Sequence, residues 1–220
     1  MYSKTVIIAN GDINPGAAVD RIRALIGLEG APVIAADGGA DNALQLGLRP
    51  QIVVGDMDSI LPDTLATLIE DGAEIFRFSH AKDETDLELA LFEAVHRGAK
   101  WIRIIGAMGG RIDQTMGNVQ LLSHPDLNHV DARLVSGGQT LWLAEPGTHQ
   151  VMGEVGDTIS LLPFHGDVTG IVTEGLEYPL NHETLYLGPA RGMSNVICRK
   201  PARVTFDSGV LTIVHTVGRA

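Results

Sequence analysis

The chain of 220 residues contains a single cysteine, Cys198. No intrachain disulfide can form, which favours a reducing compartment. Long apolar runs are also missing. No stretch approaches the roughly 18–20 apolar residues that cross a bilayer, and the first run, Val6-Ile-Ile-Ala9, is too short for a signal peptide. The expectation is a cytoplasmic protein with no membrane association. Positive charge is scarce, with 16 Lys and Arg against 27 Asp and Glu and a formal net charge of −11. That excess repels phosphate backbones, and the densest basic cluster, Arg199, Lys200 and Arg203, is interrupted by Pro201. Nucleic acid is therefore not an expected partner. Familiar site signatures are lacking as well. No two glycines stand two positions apart, so G-x-G-x-x-G is absent, and so are the P-loop, HExxH, paired-cysteine and G-x-S-x-G patterns.

Glycine, at 26 residues, is what the chain has in quantity, suiting tight turns and close backbone approaches. With 45% hydrophobic and 20% charged residues the composition is that of a globular protein. Short β-rich runs occur at 4–10, 32–36, 51–54, 74–78, 100–105 and 131–135, with helical spacing between them. The clearest helix spans about Asp83 to Arg97, where Leu87, Ala90, Leu91, Ala94 and Val95 form one stripe and Gly98 stands ready to end it. Pro62–Asp71 and Gln114–Ser123 are two further helix candidates. Strand–helix alternation predicts a mostly parallel sheet covered by helices. Beyond Ser136 the runs at 139–144, 148–152, 157–163, 167–173, 195–199, 202–206 and 210–216 are all β-type, separated by turn residues. The expected architecture is α/β, a parallel-sheet domain over residues 1–137 followed by an antiparallel sandwich or barrel over 138–220.

Aspartates recur where these strands end. Asp37 follows Val33-Ile-Ala-Ala36 and precedes Gly38-Gly39; Asp56 and Asp58 follow Ile52-Val-Val-Gly55; Asp83 and Asp86 open the long helix; Asp113 closes Gly109-Gly-Arg-Ile-Asp113 after the strand at 100–105. In an open parallel sheet, the carboxyl ends of strands form the ligand crevice. Converging carboxylates repel one another unless cations offset them, and an all-oxygen set suits Mg²⁺ carried with substrate phosphates. Gly38, Gly39, Gly109 and Gly110 would let backbone N–H groups approach phosphate oxygens, and Lys82 and Arg111 could neutralise a polyphosphate. Each feature also has a structural reading. Asp83 could be a helix N-cap with Asp86 at N3, Asp58-Ser59 an Asx-turn, and the glycine pairs ordinary strand-to-helix turns. Cys198 reads as a core residue.

At these residues the sequence resembles the thiamine pyrophosphokinase (thiamine diphosphokinase) family. The likeness is carried by Ala36-Asp-Gly-Gly-Ala40, Gly55-Asp-Met-Asp-Ser59, Lys82-Asp-Glu-Thr-Asp86 and Gly109-Gly-Arg-Ile-Asp113 with Asn118. Gly175-Leu-Glu-Tyr-Pro-Leu180 and Gly192-Met-Ser-Asn195 extend it through the distal half. The resemblance implies a Rossmann-like catalytic, nucleotide-binding domain and a C-terminal thiamine-binding β-sandwich, in a homodimer with active sites at the interface. It implies Mg²⁺-dependent transfer of a diphosphate group from ATP to thiamine, giving thiamine diphosphate and AMP. By motif, Asp56, Asp58, Asp83 and Asp86 would be catalytic and metal-binding. Asp37, Gly38, Gly39, Ser59, Lys82, Thr85, Gly109, Gly110, Arg111, Asp113 and Asn118 would bind the nucleotide, and Ser194 and Asn195 thiamine. Two positions depart from the family pattern: Gln114 replaces a histidine, and Met57 a phenylalanine. A diphosphokinase acting on another alcohol such as a hydroxymethylpterin, and a weakly catalytic nucleotide- or thiamine-binding protein, are the alternative readings.

Overall fold

The structure, a computed structural model, describes residues 3–219; residues 1, 2 and 220 of the expected domains lie outside it. Two compact units divide at Gly137/Gly138. In the first unit strand and helix alternate: β1 (Lys4–Ile8), α1 (Ala17–Glu29), β2 (Val33–Ala36), α2 (Gly39–Gln45), β3 (Ile52–Gly55), α3 (Pro62–Glu70), β4 (Glu74–Arg77), α4 (Asp86–His96), β5 (Trp101–Ile105), α5 (Ile112–Leu121), a 3-10 turn at Pro125–Leu127, and β6 (Asp131–Ser136). Its strands lie in the order β6-β5-β1-β2-β3-β4, every pairing parallel. β2 and β3 are buried along their whole length, as a sheet covered on both faces requires, and so read as continuous apolar runs. The chain leaves β1 toward β2 on one side and later returns to place β5 on the other. Strand order therefore reverses at β1, and the loops after β1 and β5 diverge there to leave a crevice.

Helix α4 is the element best specified by its own sequence. Leu87, Ala90, Leu91 and Ala94 are buried along one face, which packs on β2 and β3. It begins at Asp86, three residues later than the stripe suggests, because Thr85 is the N-cap: its hydroxyl accepts the Glu88 amide at 3.2 Å. The other end closes on Gly98 at φ 91°, where the amides of Gly98 and Ala99 donate to the carbonyls of Val95 and Ala94. Helix α5 instead starts earlier than its spacing implied, at Ile112. Helix α1, which the sequence does not single out, has no side-chain cap; the amides of Ala18 and Val19 donate instead to the carbonyl of Gly137, a partner remote in sequence.

The second unit holds β7 (Gln139–Ala144), β8 (Gly147–Val151), β9 (Thr158–Pro163), β10 (Val168–Glu174), β11 (Glu183–Leu185), β12 (Asn195–Val196), β13 (Ala202–Phe206) and β14 (Leu211–Thr216). They form two antiparallel arrays, β12-β9-β14-β7 and β11-β10-β13-β8. Alternate residues of both arrays, among them Trp142, Ile159, Leu161 and Ile213 from one and Ile171, Val204 and Phe206 from the other, share one core. Strand β11 is too short for a periodicity signal. The strand expected at 195–199 is confined to Asn195 and Val196, with Ile197 adding an isolated bridge to Leu176, and Cys198 is exposed rather than in the core. Among the described residues no helix is long and apolar enough to cross a membrane.

Candidate active site

At the carboxyl edge of the parallel sheet a cleft of about 530 Å³ opens within the first unit. Its walls come from the segments after β1 (Asn10, Gly11, Asp12) and β2 (Asp37), from Ser59, from Lys82 and Glu84 to Leu87, and from Gly106 to Arg111 after β5. Gln114, Thr115 and Asn118 of α5 complete it. The loops after β1 and β5, which flank the strand reversal, thus face each other across the cleft.

Three carboxylates meet beside it. Asp37, Asp56 and Asp86 each bring an oxygen within 4.8 Å of the other two. Asp37 is only 3% exposed. One of its oxygens accepts the Ser59 amide at 3.0 Å; the other is buried without a hydrogen-bond partner. Burial accordingly raises the Asp37 pKa, more than the Ser59 hydrogen bonds lower it, and the Asp86 and Asp56 charges push it the same way. Asp56 is moved in the opposite direction. Burial disfavours its charge, but the Asp58 amide at 3.2 Å and the Lys82 ammonium, helped by His80, hold it below the ordinary carboxylate range. Lys82 Nζ lies 3.3 Å from Asp56 and 3.0 Å from Asp86. Its own pKa is raised, because these two carboxylates outweigh the desolvation that would lower it.

The remaining expected residues divide by position. Asp58 is exposed, accepts the Ser59 hydroxyl at 2.7 Å and groups with Asp56 and His80. Asp83 is exposed, belongs to neither carboxylate group and does not line the cleft; nor is it the N-cap, a role Thr85 fills. Gly38 and Gly39 lie beneath the site rather than on its wall. A Cβ at Gly39 would meet the Ile8 carbonyl at 2.1 Å, and one at Gly38 the Asn10 side chain at 2.6 Å. Their lack of a side chain lets α2 begin directly against the end of β1. Gly109 and Gly110 do line the cleft, and nothing stands within 4 Å of where a Gly110 Cβ would be. Arg111 lines it too and pairs with the exposed Asp113, its guanidinium donating at 2.5 and 3.1 Å. Asn118 donates to the Ala107 carbonyl at 2.7 Å, fixing the loop after β5.

In the second unit Ser194 is exposed at φ 56° and its amide donates to the Ser160 hydroxyl. The Asn195 side chain is buried: its oxygen accepts the amides of Tyr178 and Val196, and its nitrogen donates to the Tyr178 carbonyl. It clamps the 176–180 segment. Sequence reasoning passed over Asn10, Gly11 and Asp12. The signal was available, since Asn10-Gly-Asp12 follows the first β-run as Asp37 follows the second. Asn42 secures this turn by donating to the carbonyls of Ala9 and Gly11, both at 2.9 Å.

Comparison with known proteins adds a second line of observation. Residues 29–134 match the family model described as thiamin pyrophosphokinase, catalytic domain, and residues 148–211 that of thiamin pyrophosphokinase, vitamin B1 binding domain. A thiamine pyrophosphokinase of Bacillus subtilis is 29% identical over 184 residues, covering 83% of this chain and 86% of its own. The crystal structure of the Bacillus subtilis thiamine pyrophosphokinase superposes with a TM-score of 0.85 at 27% identity, over 97% of this chain and 99% of that one. That of Geobacillus thermodenitrificans gives 0.82 at 26% identity, over 99% of both chains.

Proposed function

The chain belongs to the thiamin pyrophosphokinase family, and from that premise we propose that it transfers a diphosphate group from ATP to thiamine, releasing AMP and thiamine diphosphate. The observation that carries this reading is the meeting of Asp37, Asp56 and Asp86 with Lys82 at the mouth of a glycine-walled cleft. The match of the second unit to a vitamin B1 binding domain favours thiamine over a pterin alcohol as acceptor.

The donor set suits Mg²⁺. It is all oxygen, and it includes a buried Asp37 oxygen that no protein group satisfies. Asp56, Asp86 and Asp37 would hold the ion, with Asp58 nearby, and the ion would supply charge neutralisation on the polyphosphate. The chain's own groups do the rest. The cleft lies in the size range that encloses a small ligand. Backbone at Gly109 and Gly110 approaches phosphate oxygens, and Arg111, exposed and anchored by Asp113, adds a fork of donors. A carboxylate of the acidic group accepts the hydrogen bond of the thiamine hydroxyl, aligns it with the β-phosphorus and takes its proton as the oxygen attacks. The new O–P bond forms there as the bond to the α,β-bridging oxygen breaks, and that oxygen leaves with AMP. Alignment and charge, rather than a covalent intermediate, supply the acceleration.

Thiamine recognition is assigned to the second unit, where Tyr178 and Met193, 61% and 52% exposed, flank the Asn195 clamp. Ser194 offers an exposed polar side chain there; Asn195 acts by holding the segment in place. We read the first unit as a Rossmann-like catalytic domain and the second as a β-sandwich. A cytoplasmic homodimer is the assembly that goes with this reading. Incubation with ATP, Mg²⁺ and thiamine, followed by chromatography, should yield AMP and thiamine diphosphate in equal amounts; failure to form AMP overturns the assignment. Asp56→Asn should lower turnover by about 100-fold or more while the circular dichroism spectrum is unchanged.

A further inference from the structure

We propose that Lys82 is a built-in counter-cation that keeps free divalent metal out of the acidic site and yields the place only to metal that arrives with a polyphosphate. This rests on the reading of Asp37, Asp56 and Asp86 as the metal-binding group. The ammonium donates to Asp56 at 3.3 Å and forms an ion pair with Asp86 at 3.0 Å, two of the three carboxylates whose oxygens converge. Its side chain is 12% exposed, so it is packed into the site rather than resting on its rim. A divalent ion bonded to the same oxygens would stand within a few ångströms of that positive charge, and the two cannot share the place without strong repulsion.

The third carboxylate shows what the ammonium leaves undone. The buried oxygen of Asp37 has no hydrogen-bond partner, and neither has the Asp86 oxygen that the ammonium meets as an ion pair, so Lys82 leaves coordination unfilled at two of the three acids. A metal ion reaching all three would be better coordinated than the ammonium, but alone it offers the displaced Lys82 nothing in exchange. A polyphosphate offers that. Lys82 lies on the cleft wall, four residues ahead of Asp86, on a flexible four-carbon stem with three donors that can turn from carboxylate to phosphate oxygen. Metal and nucleotide binding are then coupled through one residue, each raising the affinity for the other. The chain would bind the metal–nucleotide complex as a unit, with little affinity for the metal alone.

Manganese titration of the purified protein without nucleotide, read by the electron paramagnetic resonance of free Mn²⁺, tests this directly. Lys82→Met and Lys82→Gln should bind Mn²⁺ about tenfold or more tightly than wild type, whereas Lys82→Arg, which keeps the charge, should stay near wild type. Thermal melting monitors folding of each variant. Mn²⁺ affinity in both neutral variants that equals or falls below wild type overturns the proposal. Adding Asp56→Asn and Asp86→Asn to the tighter variant should abolish the gain. If tight Mn²⁺ binding survives that change, the metal lies elsewhere and the reading of the site itself is overturned.

Discussion

Gly55 closes β3 at φ 152°, and a Cβ there would lie 2.8 Å from the Asp37 Cβ and 3.1 Å from an Asp86 oxygen. The absence of one methyl group thus lets two of the three acids close on the strand end. Asp37 itself is held at φ 43°, a left-handed conformation that aspartate tolerates better than most residues, and this turns its carboxylate back toward Ser59. A second buried acid serves stability instead. Asp157 accepts the amides of Gly218 and Glu154 at 2.7 and 2.8 Å and pairs with buried His215 at 2.8 Å. Burial alone would raise its pKa, but these three donors hold it below the ordinary 3.8. The folded state therefore gains from ionised Asp157 above pH 3.8, and the gain is lost as pH falls through the lower folded value. Asp157→Asn should cost about 2 kcal/mol at pH 7 in urea unfolding, and the gap to wild type should narrow once the pH drops below that range.

The start of α4 joins stability and site in one helix. Thr85 caps it, Glu88 at N3 supplies the bonded amide, and the very first helical residue is Asp86. The apolar stripe made the body of this helix legible in the sequence. Its first turn was not, because Asp83, Thr85 and Asp86 are all acceptable near a helix start and only the backbone path chooses among them. Thr85→Ala should lower unfolding free energy by about 1 kcal/mol and shift the urea midpoint down, while Thr85→Ser should hold it. The end of α4 was easier to read, because Gly98 stands there at positive φ, a choice written in one residue; Gly47 and Gly72 close α2 and α3 in the same way, without having been singled out in the sequence.

Across the whole molecule the net charge of −11 favours one substrate over the other. Thiamine carries a positive thiazolium, whereas bare ATP is strongly anionic and is repelled until metal offsets it. Raising the salt concentration screens both effects. The KM for thiamine should therefore rise by roughly two- to fivefold from low to moderate ionic strength, while that for Mg–ATP stays level or falls; steady-state kinetics over a salt series checks the two signs. The sequence by itself determined most of the strands, though not β11 or the extent of β12, that strands alternate with helices up to Ser136 and not beyond, and that acids stand at strand ends. Those properties follow from local periodicity and turn chemistry. Only the tertiary structure decided which acids meet: Asp37 joins Asp56 and Asp86, Lys82 lies between the latter two, and Asp83 stays outside. It also decided that Asn195 is a clamp and that α1 is capped by Gly137. Convergence depends on the parallel register of β1, β2 and β3 and on single backbone angles at their ends, set by partners distant in sequence that no window of neighbouring residues contains.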